Sequence, residues 1–297
     1  MHTPLSSRLN LKRKEMKTIL IGIDFSPASV NALRYAAGLA ECYGSRLVLV
    51  HAYQPAMLEP YLDYGMHTAL RQQQEDMALY QFESLQNCIP AATRGNLTLE
   101  FQLELGLPTD TLLSVSETLM PDLIVVGTKG GHSTLQRFIG STTTSLIQRV
   151  RYPLLVVPEE ARYHGFSHIA YATDYQEDDI RVIDDVLYFA KQNHAKLSCV
   201  HVRDKASLRE SYQQELLKRA YHYDLTHANI DFQTLTHHDI VEGLQHYAAW
   251  QRTDLLVMLT HHRSRIGQLF RQSHCRSLSL QTNLPLWIYP MLEPVGV

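Results

Sequence analysis

Short, continuous apolar runs alternate along the chain with longer segments whose apolar residues recur at helical spacing. Lys17-Thr-Ile-Leu-Ile-Gly-Ile-Asp24 is one such run and ends in an acid. Ala32, Leu33, Tyr35, Ala36 and Leu39 follow at helical spacing, and Leu47-Val-Leu-Val-His51 is the next run. Strands this apolar are buried on both faces, which calls for a parallel sheet covered by helices in right-handed crossovers. In the first half the pattern predicts helices over about 28–43, 67–88, 108–119 and 141–150, with strands near 17–23, 46–52, 97–103, 122–127 and 154–157.

The same order is then written a second time. His168-Ile-Ala-Tyr-Ala-Thr-Asp174 matches the first run and Leu197-Ser-Cys-Val-His201 the second, setting Asp174 opposite Asp24 and His201 opposite His51 in one register. A second register pairs Asp122-Leu-Ile-Val-Val with Asp254-Leu-Leu-Val-Met, and Pro153-Leu-Leu-Val-Val with Pro285-Leu-Trp-Ile-Tyr. The registers differ because the first copy carries an extra Tyr-, Pro- and Met-rich stretch from Tyr53 to about Leu70. That stretch reads as a loop or lid. Its Tyr53, Tyr61 and Tyr64 are able to stack on a base, although packing is the plainer role. The fold class is therefore α/β: two tandem doubly wound, Rossmann-like domains, each with a five-stranded parallel sheet flanked by helices. Residues 16–160 are expected to form the first and 165–292 the second, linked near Pro158 to Tyr163, with 1–15 a disordered extension.

At 297 residues, 45% of them apolar, the chain has core material for two domains. Its 27 Lys+Arg against 30 Asp+Glu leave a net charge of −3, which gives no general attraction for nucleic acid or a membrane surface. No apolar run reaches the ~18 residues of a spanning helix. Cys42, Cys88, Cys199 and Cys275 are too scattered for a disulfide framework or a metal knuckle, so a reducing, cytoplasmic location is expected. The basic cluster Lys12-Arg13-Lys14 lacks the apolar core and cleavage site of a secretory signal, and Met16 is a candidate start.

One glycine-rich loop carries recognisable chemistry. After the fourth strand come Gly127-Thr-Lys-Gly130 and, further on, Gly140-Ser141 opening an amphipathic segment. Glycines let main-chain N–H groups approach anionic oxygens, and a helix starting at Ser141 adds free N–H groups, a positive dipole end and a hydroxyl. The spacing is neither that of a Walker A loop nor of a dinucleotide fingerprint.

These residues resemble the universal stress protein superfamily, whose nucleotide-binding members carry G-x2-G-x9-G-[S/T] after the fourth strand. Gly127, Gly130, Gly140 and Ser141 fit without a gap, as do Asp24-Phe25-Ser26 after the first strand and His51 closing the second. The likeness covers 16–158 strongly and 167–290 more weakly. It implies a stress-response protein holding ATP or another adenine nucleotide, with or without Mg2+. Asp24 would contact the adenosine, the backbone around Ala52 would read adenine, and Val126 and Gly127 would lie beneath the nucleotide. Gly130, Gly140, Ser141 and Thr142 would hold ribose and phosphates. Lys129 and Arg137 are equally well read as phosphate contacts or as solvated cations. Members also dimerise through the last strand, so the two copies here are expected to pair as an internal pseudo-dimer. A homodimer through other faces is left open.

The second copy departs from this pattern. Gly127 becomes Leu259, Gly130 becomes His262 and Gly140 becomes Gln272, with Ser273 kept opposite Ser141. Side chains there should fill the phosphate cavity, so the second domain is expected not to bind ATP in this manner. Twelve of the sixteen histidines lie beyond residue 160, including His237-His238, His261-His262 and His274, and Arg263, Arg265, Arg271 and Arg276 sit in or near the degenerate loop. A metal or anion site is one reading. Scattered surface histidines are the plainer one, and no metal ligand is assigned. No acid/base constellation accompanies the glycines; His132 is read as a solvated loop residue, and no catalytic residue is assigned. Three functions follow: a regulatory nucleotide-binding protein acting on an unidentified protein partner, an adaptor with weak or structural nucleotide binding, and a slow ATP hydrolase. The intact glycines favour the first over the second. The missing chemistry counts against the third.

Overall fold

The computed structural model describes residues 16–53, 64–128, 141–176, 178–204, 208–221, 229–260 and 284–290. The first half runs β1 (Thr18–Gly22), α1 (Pro27–Tyr43), β2 (Arg46–Tyr53), α2 (Tyr64–Gln86), α3 (Ala91–Arg94), β3 (Leu99–Leu105), α4 (Pro108–Leu119), β4 (Leu123–Thr128), α5 (Ser141–Arg149) and β5 (Leu154–Pro158). The second runs β6 (His168–Ala172), α6 (Asp179–Gln192), β7 (Lys196–Arg203), α7 (Leu208–Ala220), β8 (Ile230–Thr236), α8 (Ile240–Gln251), β9 (Leu255–Thr260) and β10 (Leu286–Pro290). Local chemistry sets the helix ends. Ser26 caps α1 by accepting from Ser29 N, Pro27 opens its first turn, and Gly44 ends it at φ 66°. The short α3 has no counterpart in the predicted elements, because four residues after Pro90 show no periodicity.

Among the described residues the strands form one sheet in the order β3-β2-β1-β4-β5-β10-β9-β6-β7-β8. Every pairing is parallel except β5 with β10, where Leu286, Trp287 and Ile288 lie antiparallel to Val156, Leu155 and Leu154. β5 and β10 are buried along their whole length. Left unpaired, each would be an adhesive apolar edge, and joining them removes both. The last strands of the two halves thus pair with each other within the chain.

The core has a layer on each face of this sheet, and each layer runs through both halves. Residues of α1 and α6, among them Leu33, Leu39, Ile183 and Phe189, pack on one face with Leu155 and Trp287. Residues of α4, α5 and α8, among them Leu112, Leu146 and Leu244, pack on the other with Leu154 and Ile288. The connection between halves is fixed to α1 by a buried asparagine. Asn31 Nδ2 donates to Pro158 O at 2.9 Å and Ala161 O at 2.8 Å, while Arg162 Nη1 donates to Asn31 Oδ1 at 2.8 Å. Tyr163 then lies edge-on to Tyr35 and Phe166, and Tyr43 stacks on Phe189 across the two halves.

Candidate nucleotide-binding site

In each half the chain reverses its winding direction at the central strands, between β1 and β4 and between β6 and β9. A doubly wound sheet opens its ligand crevice there, beyond the carboxyl ends of the strands. Ile21 is registered with Val125, so Asp24 past β1 and Val126 and Gly127 in β4 flank this crevice together. Ala52 lies at the end of β2, registered with Glu104.

Asp24 is exposed, and its Oδ1 accepts from Ser26 N at 3.0 Å and Ser26 Oγ at 2.5 Å. Partial burial pushes its pKa up, but hydrogen bonds from Ser26 and Ser29 outweigh this and hold the carboxyl below its ordinary value. It is therefore an anionic acceptor, suited to donors such as ribose hydroxyls. Phe25 takes a left-handed conformation, φ 61°, and sets its ring 4.6 Å from the imidazole of His51. His51 Nδ1 donates to Ile23 O at 2.7 Å, which ties the end of β2 to the end of β1.

Gly127 has a reason in the protein itself. A Cβ at this position would stand 2.3 Å from Ala28 O and 2.7 Å from Ser29 N, so the glycine lets the first turn of α1 lie against the end of β4. Ser141 opens α5 and Thr142 is half-buried beside the fully buried Thr143. The first turns of α1 and α5 contain no acidic residue, so the positive end of neither helix is offset by a carboxylate within that turn. Gly130, Gly140, Lys129, His132, Arg137 and Tyr61 lie outside the described residues. Tyr53 closes β2 and donates its hydroxyl to Glu75 Oε1 of α2 at 2.8 Å, which gives it the packing role.

The second half repeats the frame with different contents. Tyr175 takes φ 55° with its ring 4.7 Å from His201, and His201 Nδ1 donates to Thr173 O at 2.8 Å. In the register that pairs Asp24 with Asp174, however, Ser29 is replaced by Asp179, Ile21 by Tyr171 and Ile23 by Thr173. Asp179 is buried in the first turn of α6 and accepts from Tyr171 Oη at 2.5 Å, Thr173 Oγ1 at 2.6 Å and Gln176 N at 2.9 Å. Burial raises its pKa above the ordinary value, and these hydrogen bonds only partly offset the rise. Leu259 occupies the Gly127 position and is buried with Val182 and Ile183. His262, Gln272 and Ser273 lie outside the described residues. The Asp179 network escaped the sequence reading, although Tyr171 in β6 and Thr173 just past it, standing where the first half has Ile21 and Ile23, were its available signal.

Comparison with known proteins decides the family. The model of the universal stress protein family matches residues 15–158 and again 165–290. The chain belongs to the universal stress protein family. A universal stress protein of Thermus aquaticus is 29% identical over 144 residues, spanning 48% of this chain and 98% of its own length. One from Mycolicibacterium smegmatis is 30% identical over 142 residues, so the match spans about half the length of that relative, 47%. A solved universal stress protein from Archaeoglobus fulgidus superposes with a TM-score of 0.69 at 12% identity, covering 93% of this chain and 97% of that one. That likeness carries the fold: tandem α/β domains of this family with a mostly parallel sheet. No helix of the described residues is long and apolar enough to cross a membrane.

Proposed function

We propose that this universal stress protein is a regulatory nucleotide-binding protein whose first domain holds ATP or a related adenine nucleotide in the β1/β4 crevice. The observation that carries the reading is the electrostatic contrast between the two crevices. Around β1 and β4, the first turns of α1 and α5 are free of carboxylates and Asp24 stands at the rim as an acceptor. Around β6 and β9, a buried carboxylate, Asp179, occupies the first turn of α6, and Leu259 fills the place of Gly127. Polyphosphate is favoured beside the first pair of helix ends and disfavoured beside the start of α6. In this reading Gly130, Gly140, Ser141 and Thr142 cradle the phosphates and the backbone at Ala52 reads the base. Val126 and Gly127 form the floor, and the second domain leaves ATP unbound. Occupancy then biases the segment between Gly130 and Gly140, which is what a protein partner would read.

The test is calorimetric titration of ATP, with or without Mg2+, into the wild type and into a Gly130→Val, Gly140→Val double variant, following nucleotide products in the same samples. The expected result is a single site per chain, lost in the variant, without turnover. No binding by the wild type would transfer the function to the adaptor reading, and variant-sensitive turnover would make the protein a hydrolase.

A further inference from the structure

Three neighbouring positions gain polar or charged groups together between the first half and the second. In the register that pairs Asp24 with Asp174, Phe25 becomes Tyr175 and Tyr53 becomes Arg203. Leu103, which pairs with His51 in the sheet, gives way to Thr234, which pairs with His201. The new side chains share one corner at the carboxyl ends of β7 and β8. Tyr175 Oη reaches across to β8, where it lies 3.2 Å from Thr234 Oγ1 and 3.4 Å from Gln233 O. Arg203 closes β7 two residues beyond His201, whose ring lies 4.7 Å from that of Tyr175, and alternation along the strand puts Arg203 and His201 on the same face. Gln214 of α7 lies alongside, with Nε2 3.5 Å from Phe232 O.

In the first half Tyr53 has a partner, since its hydroxyl donates to Glu75 Oε1. Arg203, in the same place, has a buried Nε that finds no hydrogen-bond acceptor among the described residues. A carboxylate gripping the guanidinium side-on would use that nitrogen, so none of theirs does. A buried N–H without an acceptor is unfavourable, and the arrangement is readily given up for one in which an outside oxygen takes the proton. Arg203 as a whole is only half-buried, and its long side chain can turn the head outward to meet such a group. The charge already acts on this corner: burial pushes the Tyr175 hydroxyl up to about 12, with the hydrogen bond to Thr234 and the positive charge of Arg203 working against the rise.

We propose that Arg203, Tyr175 and Thr234 form a site in the second domain for a ligand carrying a single phosphate group, at the β7–β8 edge of the sheet. The guanidinium fork supplies two parallel N–H donors, and the two hydroxyls and the Gln214 amide add donors beyond the fork. A carboxylate has both oxygens occupied by the fork alone. A phosphate monoester has a third oxygen for the hydroxyls, so the donor set matches phosphate better. Polyphosphate fits less well, because a phosphate chain running from this corner along the strand ends towards β9 would meet the buried Asp179 at the start of α6. The site is therefore separate from the first-domain crevice and takes a different ligand.

Inorganic phosphate is titrated into the full chain while the Nε–H resonance of Arg203, identified by its loss in Arg203→Gln, is followed by NMR. A saturable shift is expected in the wild type and in an Arg219→Gln control, whose side chain is 75% exposed on α7. A Tyr175→Phe, Thr234→Val double variant keeps the arginine and restores the first half's Phe at one position, so it is expected to fold. It should bind phosphate at least about tenfold more weakly, as loss of hydrogen bonds to a charged group requires. An Arg203 signal that stays still across the titration, equal affinity in the double variant, or acetate binding as tightly as phosphate would overturn the site. The Gly130→Val, Gly140→Val variant should give the wild-type Arg203 titration, so this proposal and the nucleotide reading fail separately.

Discussion

The two halves share a frame and differ at a few positions, and the division tells scaffold from function. Asp122 Oδ2 accepts from Lys17 N at 2.8 Å and Thr18 N at 3.1 Å, and Asp254 Oδ2 accepts from Ser167 N and His168 N at 2.6 and 2.9 Å. Each aspartate pins the start of a central strand. The histidine that ties the second strand to the first, its ring tilted against a left-handed aromatic residue, is likewise present in both halves. A device kept where the glycine loop has been lost holds strand ends together and says little about a ligand. His51 and the left-handed Phe25 therefore belong to the frame. The informative differences are Ser29 against Asp179 and Gly127 against Leu259.

Exchanging the second of these pairs should have the largest effect. Gly127→Leu drives a side chain into the backbone of Ala28 and Ser29, which cannot yield as a flexible side chain could. The expected loss is about 3 kcal/mol or more, read as a fall in urea midpoint at unchanged slope. The reverse change, Leu259→Gly, should cost a similar ~2–5 kcal/mol through the cavity it leaves, without creating ATP binding. A neutral Gly127→Leu would mean that the contact between α1 and β4 is not what this glycine serves.

The connection between halves breaks the symmetry next. Asn31 faces Arg181 in the alignment of the two copies, so only α1 holds the linker. Asn31→Ala removes three hydrogen bonds, although Pro158 O keeps Ala161 N, Ala161 O keeps Arg162 Nη1 and the guanidinium keeps Glu159 O, so the expected cost is ~1–2 kcal/mol. Asn31→Asp should recover less than half of this, since a carboxylate cannot donate to the two carbonyls. Equal stability of wild type and Asn31→Ala by thermal melting would show that the linker is held by its aromatic residues alone.

Much of this was legible in the chain. Continuous apolar runs predicted the parallel strands, and the duplicated order predicted two five-stranded units, which the pairing of β5 with β10 merges into one sheet. That the last strands of the two halves meet was implied by the family resemblance and not by any pattern in the residues. The first-half helices at 108–119 and near 28–43 fall within a residue of α4 and α1, because a first-turn proline and the apolar periodicity agree in both. The β3 prediction fell two residues early, since Leu97 continues the apolar pattern but precedes the ladder, which starts at Leu99 beside Leu47. Contacts between residues far apart in sequence were not legible. Nothing local shows that Asn31 reaches Ala161, that Asp179 is shared by Tyr171 and Thr173, or that His246 swings toward His237. Gly127 was read as ligand floor from its motif, whereas its crowding by Ala28 exists only once α1 is packed.

The Ser29 and Asp179 difference makes a pH prediction. The folded pKa of Asp179 is raised, so the native state binds more protons than the unfolded state above pH 3.8, and this residue's contribution to stability falls as pH rises through that window. Asp179→Asn cannot titrate. The stability of wild type minus that of the variant should therefore decline as pH rises above 3.8 and level off once the buried carboxyl has ionised. Carboxyls with lowered values, such as Asp24 and Asp231, slope the other way in both proteins and cancel in the difference. A difference that rises with pH would mean that the hydrogen bonds from Tyr171, Thr173 and Gln176 outweigh burial.

The smallest effect is expected where the two halves place carboxylates at the same helix start. Asp110 in α4 meets Arg149 with both side chains about half exposed, at 53% and 51%. Solvent screens such a pair, so Asp110→Asn should cost under ~1 kcal/mol and lose even that at high salt. Glu242→Gln in the second domain should be equally mild, because Glu242 is 56% exposed and its imidazole neighbours stand 3.9 Å away. Urea unfolding of the two single variants checks this: if either loses more than ~1 kcal/mol, its carboxylate supports its helix start rather than decorating the surface.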